Sequence, residues 1–243
     1  MIYTSKQNAI IKEIASLKDK KYRQKLGLYI AEGIKMVNEA IKYNLPIQKI
    51  VVTENALSSI LPSNYETVIV SEDVFSYLSQ EVTPQGVLAV ISITKNLVKS
   101  SGKRALILDG VSDPGNLGTI IRTAVAFNYT DLYLIGCTDP YNSKCVRSSM
   151  SGIYFVNINK CTLPECLTAL NGYEIIVADM DGEDIELYKT TSDKIAIVVG
   201  NEANGVSDDV RNIANKVLSI KMAEQSESLN VGVASAIMMY KFK

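Results

Sequence analysis

The second half of the chain alternates apolar strand patterns with helix patterns, and this alternation limits the fold more than any other feature. Strand patterns fit six segments, at 105–109, 131–135, 153–158, 173–178, 194–199 and 216–221. Helix patterns follow at 118–128, 144–150, 162–171, 206–214 and 229–241. Apolar strands that alternate with helices form a parallel sheet covered on both faces. Ligands of such sheets bind beyond the carboxyl ends of the strands, so the loops that follow strands are the candidates for function.

A smaller α/β unit is predicted for residues 1–94. It opens with an amphipathic helix pattern at 5–20 and closes with a strand pattern at 86–93. Residues 95–104 hold four basic side chains, no acidic one and a Ser-Ser-Gly, which is typical of a linker. The chain is therefore predicted to have a small first domain, a linker and a second domain at 105–243.

The absence of histidine excludes whole classes of chemistry. The 243 residues contain no histidine, so Ser-His-Asp triads, Cys-His pairs, histidine metal ligands and histidine acid–base catalysts are all ruled out. Four cysteines without C-x-x-C spacing argue against a zinc site or a disulfide framework, and no metal is expected. Chemistry must then come from other polar side chains or from a reactive cofactor.

The first residues are polar, and no apolar run approaches the ~20 residues that span a bilayer. These features predict a soluble, cytoplasmic protein that does not associate with a membrane.

The near-neutral net charge of −1 conceals an uneven distribution. Residues 1–104 carry 14 basic and 9 acidic side chains, whereas residues 105–243 carry 11 and 17. Residues 1–25 alone hold seven basic and two acidic side chains. This basic segment fits an anionic partner such as nucleic acid, and it fits a solvated helix end equally well.

The first loop of interest, S-D-P-G-N-L-G-T-I-I-R-T-A at 112–124, follows the strand pattern at 105–109. Its glycines do not match G-x-G-x-x-G, and no Gly-Lys-Ser/Thr closes a P-loop. Asn116 is predicted to cap a helix that begins near Leu117. Arg122 lies about one turn inside that helix among apolar residues, where a guanidinium needs a specific partner. A helix cap with a surface arginine is the alternative interpretation.

Two further loops follow strand patterns. The first is I-V-V-G-N-E-A-N-G-V-S at 197–207, in which Glu202 comes just past the end of the strand. Glu202 is either a turn residue or a carboxylate that points inward. Ser207 is a candidate cap of the next helix. In M-A-E-Q-S-E-S-L-N-V, a polar loop leads into a helix that starts around 228–230 and carries small residues. Small residues allow a ligand or another backbone to come close, although ordinary core packing also explains them.

Together these loops resemble the SpoU (TrmH-type) branch of the SPOUT RNA methyltransferases. The first motif of that family has an asparagine and an arginine six residues apart, as Asn116 and Arg122 are here. Its second motif, G-N/S-E-G-x-G, is matched from Gly200 to Gly205, with Ala203 at a usual glycine.

The third family motif, I-P-M-x-G-x-x-x-S-L-N-V, is matched from Ile220 to Val231, with Lys221 and Glu224 at the usual proline and glycine. The segment K-C-V-R-S-S-M-S-G-I-Y-F at 144–155 resembles the family's R-A-S-x-G-A-x-F, and K-Y-R-Q-K-L-G-L-Y-I-A-E-G resembles its substrate-binding domain. The resemblance covers nearly the whole chain, in the expected order.

The resemblance implies transfer of a methyl group from S-adenosylmethionine to a ribose 2′-hydroxyl of RNA. It implies an α/β fold in which a substrate-binding domain precedes a parallel sheet tied in a trefoil knot, an exception to the rule against threaded chains. It also implies a homodimer through the C-terminal domain, in which the helix of Arg122, or surfaces near it, comes from the neighbouring subunit. Ribosomal RNA is preferred over tRNA, since family members with this N-terminal domain commonly act on large-subunit rRNA.

Residue by residue, the resemblance gives Arg122 the role of base or charge stabiliser, with Asn116 orienting it and Glu202 ordering the loops. A guanidinium normally stays protonated, which favours positioning and charge stabilisation over a base role. Cofactor contacts are expected at Gly200, Asn201, Ile220, Met222, Ser228, Leu229 and Asn230. The basic cluster and the 144–155 segment supply the RNA-binding candidates Lys20, Lys21, Arg23 and Arg147.

Two alternatives stay open at this point. One is an RNA-binding or ribosome-assembly protein of the same fold with impaired catalysis, which the altered second and third motifs would fit. The other is a Rossmann-type oxidoreductase, which the missing G-x-G-x-x-G disfavours.

Overall fold

The computed structural model describes residues 1–94, 102–226 and 228–243, so most of the predicted linker, residues 95–101, lies outside the described residues. Contacts divide the chain into two units. The first unit combines Met1–Thr94 with Asp139–Tyr154, and the second combines 102–138 with Phe155–Lys243. Residues 139–154, which the sequence places within the second domain, therefore pack with the first.

The strands and helices are numbered in chain order. The strands are β1 (Ile2–Tyr3), β2 (Leu28–Glu32), β3 (Ile47–Thr53), β4 (Thr67–Val70), β5 (Val87–Ser92), β6 (Arg104–Asp109), β7 (Asp131–Ile135), β8 (Asn157–Lys160), β9 (Glu174–Asp184), β10 (Ile195–Val199) and β11 (Lys216–Ser219). The helices are α1 (Ala9–Ser16), α2 (Lys20–Leu26), α3 (Ile34–Lys42), α4 (Glu72–Leu78), α5 (Pro114–Ala126), α6 (Ser143–Ser148), α7 (Leu163–Ala169), α8 (Asp208–Arg211) and α9 (Val231–Lys241).

The second unit contains the predicted parallel sheet. Its six strands are arranged β11-β9-β10-β6-β7-β8, and every neighbouring pair is parallel. The central strands β10 and β6 are buried almost throughout, as expected of strands covered on both faces. Because all the carboxyl ends lie at one edge, the loops that follow β6, β10 and β11 can come together there. The trefoil knot stays a prediction.

The first unit contains a mixed sheet of five strands in the order β1-β4-β3-β5-β2. Strands β1, β4 and β3 run parallel, whereas β5 is antiparallel to both β3 and β2. Apolar residues of α1, α4 and the sheet form its core. Among the described residues, no helix is long and apolar enough to cross a membrane.

Several predicted elements differ from the structure in their bounds, among them the following three. The single helix at 5–20 is wrong, since α1 ends at Ser16 and α2 begins at Lys20, where the Asp19 carboxylate accepts the Lys21 N–H as a helix cap. The strand at 153–158 is wrong at its start, because a 3₁₀ turn occupies Gly152–Phe155. Helix α5 begins at Pro114, earlier than predicted, and Asp113 rather than Asn116 caps it.

A buried ion pair holds the 139–154 segment in the first unit. Arg23 donates through Nε and Nη2 to Oδ2 of Asp139, at 3.0 and 2.7 Å, and through Nη1 to the carbonyls of Leu17 and Lys18, both at 2.8 Å. The two charged side chains are only 5% and 6% exposed. All of these hydrogen bonds of the guanidinium lie within the first unit. The ion pair therefore fixes α2 against the segment 139–154.

Asp139→Ala should lower the free energy of unfolding by about 3–5 kcal/mol, because it leaves a buried arginine without its counter-ion. Lys49→Ala is the matched control on the same unit, since the side chain of its partner Glu66 is 54% exposed and such a pair contributes about 0–1 kcal/mol. Urea unfolding followed by circular dichroism measures both losses. Equal losses would mean that the buried pair stabilises no more than a surface pair.

Candidate active site

The three loops of the second unit meet through a chain of side-chain hydrogen bonds. Asn230, the cap of α9, accepts the N–H groups of Gly232 and Val233 with its Oδ1. Its Nδ2 donates to Oδ1 of Asn116 at 2.9 Å, and Nδ2 of Asn116 donates to Oε1 of Glu202 at 3.0 Å. We call these three side chains the amide relay. Each amide has its donor and acceptor ends fixed by its neighbours, so the relay orients Asn116.

The Glu202 carboxylate is the acceptor at the end of the relay. It also accepts the N–H and Oγ–H of Ser112, at 3.2 and 3.0 Å, and the N–H of Asp113 at 3.2 Å. Burial raises the pKa of Glu202, but hydrogen bonds from Asn116 and from backbone N–H groups lower it more, to about 2. Glu202 is therefore a permanent anion near neutral pH and joins the loop after β10 to the loop after β6.

The loop after β10 is a tight hairpin that depends on two glycines. Asn201 and Gly205 pair through both backbone groups, at 2.8 and 3.0 Å. A Cβ at Gly200 would lie 2.2 Å from the Gly205 backbone, and Gly205 itself has φ +69°. Ala203 has no such requirement, which explains why alanine is accommodated at a usual glycine of the motif.

Two more hydrogen bonds tie this hairpin to the end of β6. Nδ2 of Asn201 donates to the carbonyl of Gly110 at 2.8 Å, and its Oδ1 accepts the N–H of Ala203 at 2.9 Å. The N–H of Ser207 donates to Oδ2 of Asp109 at 2.7 Å. Ser207 does cap α8, but its hydroxyl makes no capping hydrogen bond.

A cleft of about 570 Å³ opens beside the hairpin, within the 300–1,000 Å³ usual for small-molecule sites. Its walls include all but one of the predicted cofactor contacts, namely Gly200, Asn201, Ile220, Met222, Ser228 and Leu229. The remaining one, Asn230, belongs to the amide relay.

Charged residues that the sequence did not single out also line the cleft. They are Asp179, Asp181, Asp208 and Arg211, and Arg211 forms ion pairs with Asp179 and Asp181. With Glu202, four carboxylates face one guanidinium, which makes the cleft electronegative. The acidic run D-M-D-G-E-D at 179–184 was the available signal in the sequence. The strand pattern ended at 178, whereas β9 continues to Asp184, so these acidic residues belong to the strand and not to the loop after it.

Arg122 stands apart from the relay. It is exposed on α5, while Ile120, Ile121 and Ala124 are buried, so the expectation that it sits in apolar surroundings is wrong. No described residue forms a hydrogen bond or ion pair with it. It lies six positions after Asn116, which places the two side chains about 120° apart around the helix and about 9 Å apart along it.

The RNA-binding candidates fall into two groups. Lys20 and Lys21 are exposed on α2. Arg23 is buried in its pair with Asp139, and this placement contradicts a role as a free phosphate-binding group. Arg147 on α6 is about half exposed and pairs with Glu81, which a phosphate would have to replace.

The described residues contain no group of three or more His, Cys, Asp or Glu side chains that could hold a metal ion. The absence of a metal from the reaction stays a prediction.

Comparison with known proteins confirms the resemblance seen in the sequence. The model of the SpoU rRNA Methylase family matches residues 103–240, and that of the MRM3-like substrate binding domain matches residues 8–89. The 23S rRNA (guanosine(2553)-2'-O)-methyltransferase RlmP of Bacillus subtilis is 31% identical over 243 residues, covering 98% of both chains. The AdoMet-bound rRNA methyltransferase from Sinorhizobium meliloti has a TM-score of 0.88 at 27% identity, covering 99% of this chain and 96% of that one.

Glu202→Gln should lower the free energy of unfolding by an amount that depends on pH. The carboxyl has a lower pKa in the folded chain than its ordinary value, so its stabilisation is complete above about pH 5 and is lost as the pH falls toward 2. We measure the free energy of unfolding of wild type and variant in urea from pH 7 to pH 3. The difference between the two proteins should be constant down to about pH 5 and should shrink below it.

Asn116→Ala should reduce the pH-dependent stabilisation that Glu202 contributes to the free energy of unfolding. The substitution removes the donor that lowers the pKa of Glu202 most. A difference between wild type and Glu202→Gln that is the same at pH 7 and pH 3 would contradict the low pKa.

Proposed function

The chain belongs to the SpoU rRNA methylase family, and we propose that it transfers the methyl group of S-adenosylmethionine to a ribose 2′-hydroxyl of ribosomal RNA. The observation that carries this proposal is the amide relay, because it brings the family's three motifs together at the edge of the cleft. The relative named RlmP, aligned along nearly its full length, methylates a 2′-oxygen of 23S rRNA according to its name. The family's name and this relative favour rRNA over tRNA.

The size, lining and charge of the cleft suit S-adenosylmethionine. Gly200 lets the two sides of the hairpin approach each other closely, because any side chain there would collide with the backbone of Gly205. Ile220, Met222 and Leu229 give apolar walls for an adenine ring, and Asn201 and Ser228 add polar groups. The excess of carboxylates favours the positive sulfonium, which the demethylated product lacks.

When bound, S-adenosylmethionine supplies an electrophilic methyl group, and the chain's own residues must align the ribose oxygen and manage its proton. Glu202 is unsuited to take that proton, because a carboxylate with a pKa of about 2 is a weak base. It acts as a positioning residue that holds Asn116.

Arg122 is the catalytic residue in this proposal. Its guanidinium donates to the 2′-oxygen and an adjacent phosphate, which stabilises the charge that develops as the hydroxyl proton leaves for solvent. Nothing in the described part of the chain competes for its donors. Its position away from the face of Asn116 fits a site completed by a second subunit.

The first unit recognises RNA in this proposal, through its exposed lysines and not through a large net charge. Residues 1–94 hold ten basic and nine acidic side chains, so most of the positive excess of residues 1–104 lies in the segment 95–104. Exposed Lys20 and Lys21 are the phosphate contacts proposed here, and Arg147 is a third after it releases Glu81.

A homodimer through the C-terminal helix completes the proposal. Val233, Ile237 and Tyr240 are 48%, 37% and 58% exposed and follow one another at i, i+4 and i+7, so they form one apolar stripe on α9. This helix packs along α5, which carries Arg122. A partner covering the stripe would therefore bind to the helix that packs against α5.

Methyl transfer is tested with purified chain, methyl-labelled S-adenosylmethionine and an unmodified transcript of bacterial 23S rRNA, with a tRNA transcript in a parallel reaction. We expect label in the 23S rRNA and, after alkaline hydrolysis, in a resistant dinucleotide, because a 2′-O-methyl group blocks cleavage there. Cofactor binding without transfer to either RNA would favour the assembly-protein alternative.

Arg122→Ala should reduce kcat about 10²–10³-fold, the usual loss for one transition-state donor. Arg122→Lys should recover little, since an ammonium lacks the planar fork of donors. Thermal midpoint and cofactor affinity should hardly change, because the side chain is exposed. Wild-type turnover in Arg122→Lys would contradict the positioning role, and loss of folding in Arg122→Ala would make the residue structural.

Ile237→Asp should convert the dimer to a monomer, because it places a charge in the apolar stripe. Light scattering at micromolar concentration measures this, with Lys194→Asp as an exposed charge change outside α9. Monomeric wild-type protein with full activity would contradict the dimer.

A further inference from the structure

An exposed tyrosine with two lysines over its ring stands out in the first unit. Helix α4 buries Val74, Phe75 and Leu78 in the core, yet Tyr77 beside them is 41% exposed. The three buried residues hold the helix in place, so the ring of Tyr77 is presented from a rigid support.

One of the lysines, Lys6, precedes α1 in the chain, and the other, Lys18, follows it. Nζ of Lys6 lies 5.7 Å from the centre of the Tyr77 ring, and Nζ of Lys18 lies 5.6 Å from it. Lys18 is also fixed, because its Nζ donates to the carbonyls of Tyr77 at 2.6 Å and Ser79 at 3.1 Å. Lys18 is the first residue of the basic cluster at 18–25, so the ring lies at the edge of that cluster.

We propose that Tyr77 stacks on an unpaired base of the RNA substrate, with Lys6 and the lysines that follow Lys18 binding the flanking phosphates. Single-stranded nucleic acid is bound by this combination of an exposed aromatic ring and adjacent cations. The inference rests on the proposed RNA substrate and names one point of contact on it.

Replacing the contact between Lys6 and the Tyr77 ring by a stacked base is favourable. An exposed cation–π contact contributes about a factor of two to five in an equilibrium constant, whereas a base stacked on an aromatic ring contributes about five- to 150-fold. Lys6 makes no hydrogen bond or ion pair with any described residue, so it can leave the ring for a phosphate. Lys18 stays anchored by its two carbonyls and keeps the helix end in place.

Tyr43 provides a matched comparison in the same unit. It is 49% exposed and has Lys42 at 5.3 Å from its ring centre. That lysine is its neighbour in sequence, and Tyr43 lies outside the basic cluster. A general affinity of RNA for exposed tyrosines would affect both positions, whereas the proposed contact affects only Tyr77.

The chain contains no tryptophan, so Tyr77→Trp and Tyr43→Trp each introduce a single indole fluorophore. We titrate both full-length variants with a twelve-nucleotide oligoadenylate and with an RNA duplex of the same length, at low salt. Tyr77→Trp should lose at least about half of its emission with the single strand, because a stacked base quenches indole. Its emission should change little with the duplex, and Tyr43→Trp should change little with either.

Equal quenching at both positions, equal quenching by strand and duplex, or no binding of the single strand at low salt would each overturn the proposal. Affinity for the 23S rRNA transcript provides a second measurement. Tyr77→Ala should weaken it about five- to tenfold with an unchanged salt slope, and Tyr77→Phe should retain it.

Lys20→Ala with Lys21→Ala should instead flatten the salt slope, since each lost phosphate contact removes nearly one unit. If Tyr77→Ala binds and methylates the transcript as wild type does, the stacking contact is wrong while the proposed function stands. If wild type methylates no RNA, the proposed function fails independently of the fluorescence result.

Discussion

The amide relay is the constraint on which the candidate active site depends. Asn116 lies 86 residues from Glu202 and 114 from Asn230 along the chain, so the three loops can share one geometry only if something specifies their mutual position. Asn230 is oriented by the N–H groups of α9, Asn116 by Asn230, and Glu202 receives the last donor. Hydrogen bonds that run in one direction toward a charge reinforce one another. The hydrogen bonds thus run from the N-terminus of α9 through two amide side chains to a carboxylate that lines the cleft.

Glu202 and Arg122 have different roles, one in the structure of the site and the other in the proposed reaction. Glu202 has its lone pairs filled by donors, and these donors hold its pKa near 2, so it orders loops but gives up any use as a base. Arg122 has the opposite character, since it is exposed and its loss would leave no buried group unpaired. An exposed side chain without a hydrogen bond or ion pair among the described residues is free to bind a ligand. In the proposed mechanism the positive charge of Arg122 serves the reaction, whereas the negative charge of Glu202 in the loop after β10 serves the structure.

Much of this architecture could be predicted from sequence, because it depends on local patterns. Apolar runs predicted the parallel sheet of the second unit, and the resemblance of three strand-end loops to the family's motifs predicted most of the cofactor contacts that line the cleft. The errors arise where two local signals compete or where the partner is distant. Asp113 precedes Pro114, which suits the first turn of a helix, so it caps α5 and frees Asn116 for the relay. The burial of Arg23 could not be foreseen, since its partner Asp139 lies 116 residues away.

That buried arginine also determines what the basic cluster can do. Counted along the chain, Arg23 is one cation among seven in the first 25 residues. In the fold, Arg23 is anchored to Asp139 and Lys18 to two carbonyls, so neither is free for a phosphate. Anchoring Arg23 sets the rotation of α2, and Lys21 and Lys25 then lie about 160° from it around the helix, on the exposed side. Like charges four residues apart cost about 0.2–0.5 kcal/mol. The Arg23–Asp139 pair holds them together on the surface, where an anionic strand would offset that repulsion.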